Sequence, residues 1–341
     1  AAETPAPATS AGDDPSAVAS LEQSGAKLHT NQTGYVVQVD WSGTSIDDTA
    51  LEPLTKLKQL KSILLQGTNV SDAGLVTLAK LDGVVQLDLR NCQLSNAGMA
   101  TLAGLQSLKA LQLSGQNGST SVDDAGLPEI AKLTQLKVLG LDFLWVSGQG
   151  IADLKPLQNL ERLHLAETLI GDDATTHLQQ FPRLSELRLA RTQLGDDGLQ
   201  AVGQLKALTD LDLSECSQLT DAGFAHLSGL TQLKKLNAWR VQVSDAGIEH
   251  LKGLVNLESL NLDNTQFSDA GMPVLAGMPK LTFLHLGSTS ISDAGLVHLE
   301  GLKNLQELVV TRTSVTDAGT QALQAQLPNL KKIQIKYTAQ D

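Results

Sequence analysis

The chain has 341 residues, of which 41% are apolar and only 3% aromatic, and a formal net charge of −12. Length alone would allow two domains, but an internal repeat overrides that prior. The negative balance removes the attraction that drives binding to phosphate backbones and anionic membrane surfaces, so nucleic acid is excluded as a partner. No apolar run reaches the ~18 residues that a transmembrane segment requires.

In chain order, residues 1–14 are rich in Ala, Pro and Thr and predict a disordered tether. Two origins fit it: a linker left when an export signal is removed, or an ordinary ragged terminus. Residues 15–35 predict an N-terminal cap, a short helix near Ala17–Gln23 followed by a hairpin. From 36 to 328 the chain repeats itself. With the Asp of "SDAG" as register mark, the marks are Asp48, Asp72, Asn96, Asp124, Gly148, Asp172, Asp196, Asp221, Asp245, Asp269, Asp293 and Asp317. Their spacing is 24 residues, apart from one step of 28 and one of 25.

Each period changes rhythm once. "LTFLHLGST" carries Leu281, Leu284 and Leu286 in the alternation of a short strand. "SDAGLVHLEGL" then places Leu296, Leu299 and Leu302 at helical spacing. Ser or Thr ahead of Asp predicts the helix start, the hydroxyl capping free N–H groups and the carboxylate facing the positive dipole end. Gly295 and its equivalents are expected to let neighbouring coils approach. Residues 329–341, with "LKKIQIKYT", predict a closing strand whose lysines protect the edge. One strand and one helix cannot bury their faces alone, but stacked copies can. Strands stack at ~4.8 Å and helices at ~8–10 Å, so the stack must curve with the strands inside.

The pattern LxxLxLxxTx[VI]SDAGLxxLxxL, over Val36 to Tyr337, resembles the leucine-rich repeat, within it the ribonuclease-inhibitor-like and cysteine-containing subclasses. "LTDLDLSECSQLTDAGFAHL", Leu208 to Leu227, is similar to the repeats of F-box leucine-rich proteins, although no F-box precedes it. The resemblance implies an α/β right-handed horseshoe solenoid with a parallel sheet on the concave face and helices on the convex face. It also implies binding rather than a shared reaction.

Chemistry-bearing residues are then placed by register. Cys92 and Cys216 sit at the Thr position of the repeat, as in Thr68, Thr192 and Thr265. Five repeats apart, they are ~20–25 Å from each other and beyond disulfide reach; a buried turn residue is the expectation. His177, His226, His250 and His298 form an outer column with no recurring acid or thiol partner, so no metal site is expected. On the concave side His164, Arg188 and Asp212 share one strand position, with Ser214 two residues beyond Asp212. His164 and Ser214 lie ~9–10 Å apart at strand spacing, which argues against a catalytic triad; Arg188 is expected to neutralise Asp212. Glu167, Arg191, Glu215 and Arg240 form a second alternating ladder. Both are either structural ladders or a polar binding patch.

Departures from the repeat carry the rest. "LSGQNGSTSVDD" has four extra residues. The next repeat puts Phe143 on the concave face and Trp145 at a rim position held elsewhere by Asn69, Gln93, Gln193, Gln242 or Gln266, and Leu169 follows at the same position. These three form an interaction site unless the inserted loop folds over Trp145 and Leu169. Trp239, beside Arg240, is the second departure: Ala238 stands where a leucine would point inward, so the backbone is expected to shift, and Trp239 is either an anchor or a repair of a thin core. The reading is a non-catalytic binding module for a protein partner, without cofactor, extracytoplasmic and bacterial. The alternative is carbohydrate recognition with Trp145, Trp239 and Phe143 as stacking platforms.

Overall fold

The protein is described by a computed structural model over residues 12–336. Most of the expected tether, residues 1–11, and residues 337–341 of the closing segment lie outside the described residues. Among those described, fourteen strands make one sheet whose spatial order is the chain order. A helix, α1 (Pro15–Gln23), comes first. Strands β1 (Lys27–Thr30) and β2 (Val36–Asp40) then pair antiparallel. The second arm of this hairpin is also the first strand of the parallel array, since β2 pairs with β3 (Ser62–Leu64). Next come β4 (Gln86–Asp88), β5 (Ala110–Ser114), β6 (Val138–Asp142), β7 (Arg162–His164) and β8 (Glu186–Arg188). The series ends with β9 (Asp210–Asp212), β10 (Lys235–Asn237), β11 (Ser259–Asn261), β12 (Phe283–His285), β13 (Glu307–Val309) and β14 (Lys332–Gln334).

Within each strand the alternation decides the faces. In β10, buried Leu236 lies between exposed Lys235 and half-buried Asn237, and the residues in register with it from β3 to β13 are buried as well. The inward leucines join one continuous core from Leu21 to Leu330. Two aspartates close its first end. Asp14 caps α1 by accepting from Ser16 N–H at 2.8 Å. Asp13 accepts from Val36 N–H at 2.7 Å and from Lys58 N–H at 2.8 Å, which ties the cap to the first repeats. Trp41 is fully buried below and donates its indole N–H to Ser24 Oγ at 2.9 Å.

The register aspartates do more than face a helix dipole. Most of them reach into the following repeat and accept from both the backbone N–H and the hydroxyl of the next helix cap; Asp172, facing the Gly195 cap, accepts from the N–H alone. Asp48 holds Ser71 at 2.7 and 2.6 Å, Asp196 holds Thr220 at 2.8 and 2.6 Å, and Asp293 holds Thr316 at 2.8 and 2.7 Å. The pair of bonds draws the Asp293 carboxyl below its ordinary pKa. These charge-assisted bonds form a clamp along the outside of the stack.

The clamp explains the glycines. A methyl at Gly74, Gly98, Gly223 or Gly295 would collide with the carboxylate oxygen of the preceding repeat's aspartate. The rule has two exceptions, and both obey its logic. Ala50 follows no earlier clamp, and Ala174 follows Gly148, the one register position without a side chain. A methyl at Gly148 would sit 3.2 Å from that of Ala174, so the missing carboxylate and the added methyl share one space.

Candidate functional site

The central concave surface is crossed by ion pairs. His164, Arg188 and Asp212 lie side by side in β7, β8 and β9, but their bonds run elsewhere. His164 Nε2 is 2.8 Å from Glu186 Oε1. Arg188 donates to Asp142 at 2.8 Å, while its contact with Asp212 is 3.5 Å. The expected pairing of Arg188 with Asp212 is present, and a nearer carboxylate comes from β6, two strands back, because the long guanidinium side chain leans along the concave face. The Ser214 hydroxyl donates to Asp212 at 2.7 Å, within its own turn. No Ser–His contact exists among these residues, and the set cannot work as a nucleophile and base.

The second ladder is likewise self-paired. Arg191 bonds both Glu167 and Glu215, and Arg240 bonds Glu215 at 3.0 Å. The two carboxylates raise the Arg191 pKa. All four residues occupy a left-handed turn after their strands, with φ between 54° and 57°. Phe143, at φ 62°, stands in the same row. An L-residue there costs on the order of 1–2 kcal/mol relative to the right-handed region.

At the rim, Trp145 is 71% exposed and Leu169 46% exposed. The two are neighbours on adjacent coils, joined by Leu169 N–H donating to Val146 O at 2.9 Å. The inserted loop does not cover them. It turns towards the preceding repeat, where Asn117 reaches Asn91 O at 3.2 Å and Thr120 reaches Cys92 O at 2.7 Å.

Over β10 to β14 the concave face opens into a concavity of about 690 Å³. Trp239 and Phe283 line it, together with Asn261, Asp263, His285 and Thr311. Trp239 lies under the Arg240 guanidinium, 5.4 Å from the ring centre, and Phe283 meets His285 edge-on at 6.4 Å. The expected backbone shift at Ala238 is corrected: Ala238 N–H bonds Asn261 O at 2.9 Å and Arg240 N–H bonds Asp263 O at 3.0 Å. The adjacent repeat bonds the same way, because hydrogen bonding between strands, not side-chain volume, sets strand position. Sequence reasoning passed over Phe283, Asp263, Gly287 and Thr311, since each looks ordinary in its own repeat. Superposing the concave positions at the 24-residue period would have brought them together.

Burial holds both thiols protonated, that of Cys92 up to about 11. Each donates to a turn carbonyl of the preceding repeat, Cys92 to Leu65 O at 3.2 Å and Cys216 to Leu189 O at 3.0 Å. No group of three or more His, Cys, Asp or Glu side chains among the described residues is arranged to hold a metal ion. No helix among them is long and apolar enough to cross a membrane.

The leucine-rich-repeat family model matches residues 84–103, 183–203 and 277–299. No curated protein matches the chain. Among solved structures, an internalin of Listeria monocytogenes is similar over 96% of each chain, with a TM-score of 0.65 and 20% identity. A leucine-rich-repeat protein of Leptospira interrogans is similar over 82% of this chain and 74% of its own, with a TM-score of 0.57 and 20% identity. With the continuous parallel sheet and the matched segments, these likenesses establish the chain as a leucine-rich-repeat solenoid.

Proposed function

We propose that the chain is a non-catalytic binding scaffold that recognises a protein partner through its concave face and the rim near Trp145. One observation carries the reading: a tryptophan 71% exposed beside a leucine 46% exposed, at positions polar in most other repeats and uncovered by the adjacent loop. Aromatic anchors dominate interface energies, and a stiff sheet presents them at small entropic cost. Leucine-rich repeats commonly serve protein–protein binding and are typically not enzymes, which fits this reading. The ladders around His164, Arg188, Asp212, Glu167 and Arg191 would then hold the surface rigid rather than anchor the partner. An extracytoplasmic location belongs to the same proposal and rests on the composition of residues 1–14.

The test is capture of partners by the immobilised chain from envelope extracts of its source, beside the Phe143/Trp145/Leu169→Ser variant. A protein held by the first and lost from the second supports the reading. Equal capture by both would remove the rim as the site.

A further inference from the structure

We propose that the concavity over β10 to β14 is a saccharide-binding site, with Trp239 and Phe283 as its apolar walls and Asp263 and Thr311 as its hydroxyl-recognising groups. The proposal does not depend on the rim at Trp145. It begins at Gly287, whose backbone lies outside the left-handed region, so its conformation does not require glycine. What a side chain would remove there is space. A methyl at Gly287 would lie 2.8 Å from Asp263 Oδ1, 2.8 Å from Thr311 Oγ1 and 2.9 Å from His285 Nε2. Three polar atoms thus ring one bare patch of backbone, at distances a ligand hydroxyl would use.

Gly140 provides the contrast. It also faces the concave side, but the Gln112 side-chain amide lies over it and fills its space. Gly287 has no such roof among the described residues. Thr311 adds an independent sign. It is only 6% exposed, it faces this patch, and its hydroxyl is bonded to no other described residue. A ligand oxygen would give this hydroxyl a hydrogen bond that no described residue supplies.

The surroundings select the ligand class. Lys332 is paired with Glu307 at 2.6 Å and Arg240 with Glu215 at 3.0 Å, so these charges offer little to an ionic ligand. Two aromatic side chains flank the patch, Trp239 two strands away, ~10 Å, and Phe283 four residues down its own strand, ~13 Å. A sugar ring has C–H-rich faces that pack on aromatic rings and a rim of hydroxyls that meets acids, amides and hydroxyls. The volume of about 690 Å³ falls within the usual range for small ligands and would take one or two such rings.

A printed oligosaccharide array is the probe, followed by calorimetric titration of the brightest hit. Wild-type chain should bind, and Gly287→Ala, by filling the patch, and Thr311→Val, by deleting a hydroxyl, should each weaken binding about tenfold. The Gly287 change meets only side-chain ends, so an unchanged melting curve will show that the fold survives it. Trp145→Ser should leave saccharide binding intact, which separates this site from the rim. Silence of the wild-type chain across the array would overturn the proposal, as would a hit unaffected by both concavity variants or abolished by Trp145→Ser.

Discussion

The rim at Trp145 and the concavity at Gly287 are built in opposite ways. Around Trp145 the rules of the repeat are suspended: four residues are inserted before it, the clamp aspartate is replaced by Gly148, and the glycine that normally accommodates it becomes Ala174. Around Gly287 every rule holds. Asp245 clamps Ser268 and Asp269 clamps Ser292, both at 2.8 Å to the backbone N–H, and only the displayed side chains differ from other repeats. A solenoid can therefore acquire a surface either by altering its scaffold or by varying positions that the scaffold leaves free.

The largest effect is expected where the scaffold itself was altered. Gly148→Asp should place a carboxylate in the space held by the Ala174 methyl and lower stability by about 1–3 kcal/mol, the usual cost of overpacking. Adding Ala174→Gly should recover most of that loss, because the restored carboxylate can accept from Gly171 N–H, as Asp172 accepts from Gly195 N–H at 2.6 Å. Denaturant unfolding of the two single variants and the double closes the cycle. Additive effects would mean that the two positions do not compensate each other, and the first half of the comparison would fail.

Between the two regions lies the ion-paired stretch. Arg188→Met should cost about 1–2 kcal/mol, between the values for exposed and buried pairs, since it leaves Asp142 and Asp212, with side chains only 15% and 23% exposed, without the cation they share. Saccharide binding at Gly287 should be unchanged. Were it lost with the fold intact, the concave face would behave as one surface rather than as separate parts.

The thiols offer a pH test on the scaffold. Cys92 is held protonated up to about 11, against an ordinary 9.0. A pKa raised on folding stabilises the protein fully below 9.0, and that contribution is lost as pH rises towards 11. Unfolding midpoints should fall across this window, and a Cys92→Ser variant should show a smaller fall. At pH 8 neither cysteine of the native chain should react with iodoacetamide, because thiolate is scarce and both are buried.

How much of this could be read in advance follows from the same contrast. The solenoid was legible because alternation and helical spacing recur with the register marks, and burying both faces leaves one way to stack them. The rim was legible because Trp145 and Leu169 break a column of polar residues, though which way the inserted loop turns depends on backbone bonds that sequence does not display. The clamp was half legible: Asp and Gly were both seen, but that an aspartate serves the next repeat, and so dictates Gly or Ala there, appears only when Ala50 and Ala174 are set beside their predecessors. The concavity was not legible. Asp263, Gly287 and Thr311 lie in three repeats at positions free to vary, and nothing within a single repeat marks them as neighbours.

The smallest expected effect is also the sharpest test of the rim. Trp145→Ser combined with Leu169→Ser should change stability by no more than about 0.5 kcal/mol, as exposed side chains without special contacts usually do. It could even raise solubility by removing adjacent apolar groups from water. A fall beyond about 1 kcal/mol would show that these side chains repair a junction altered at Gly148 and Ala174, and their exposure would then need no partner to account for it. Near-neutral stability together with lost capture would leave binding as the role that requires them.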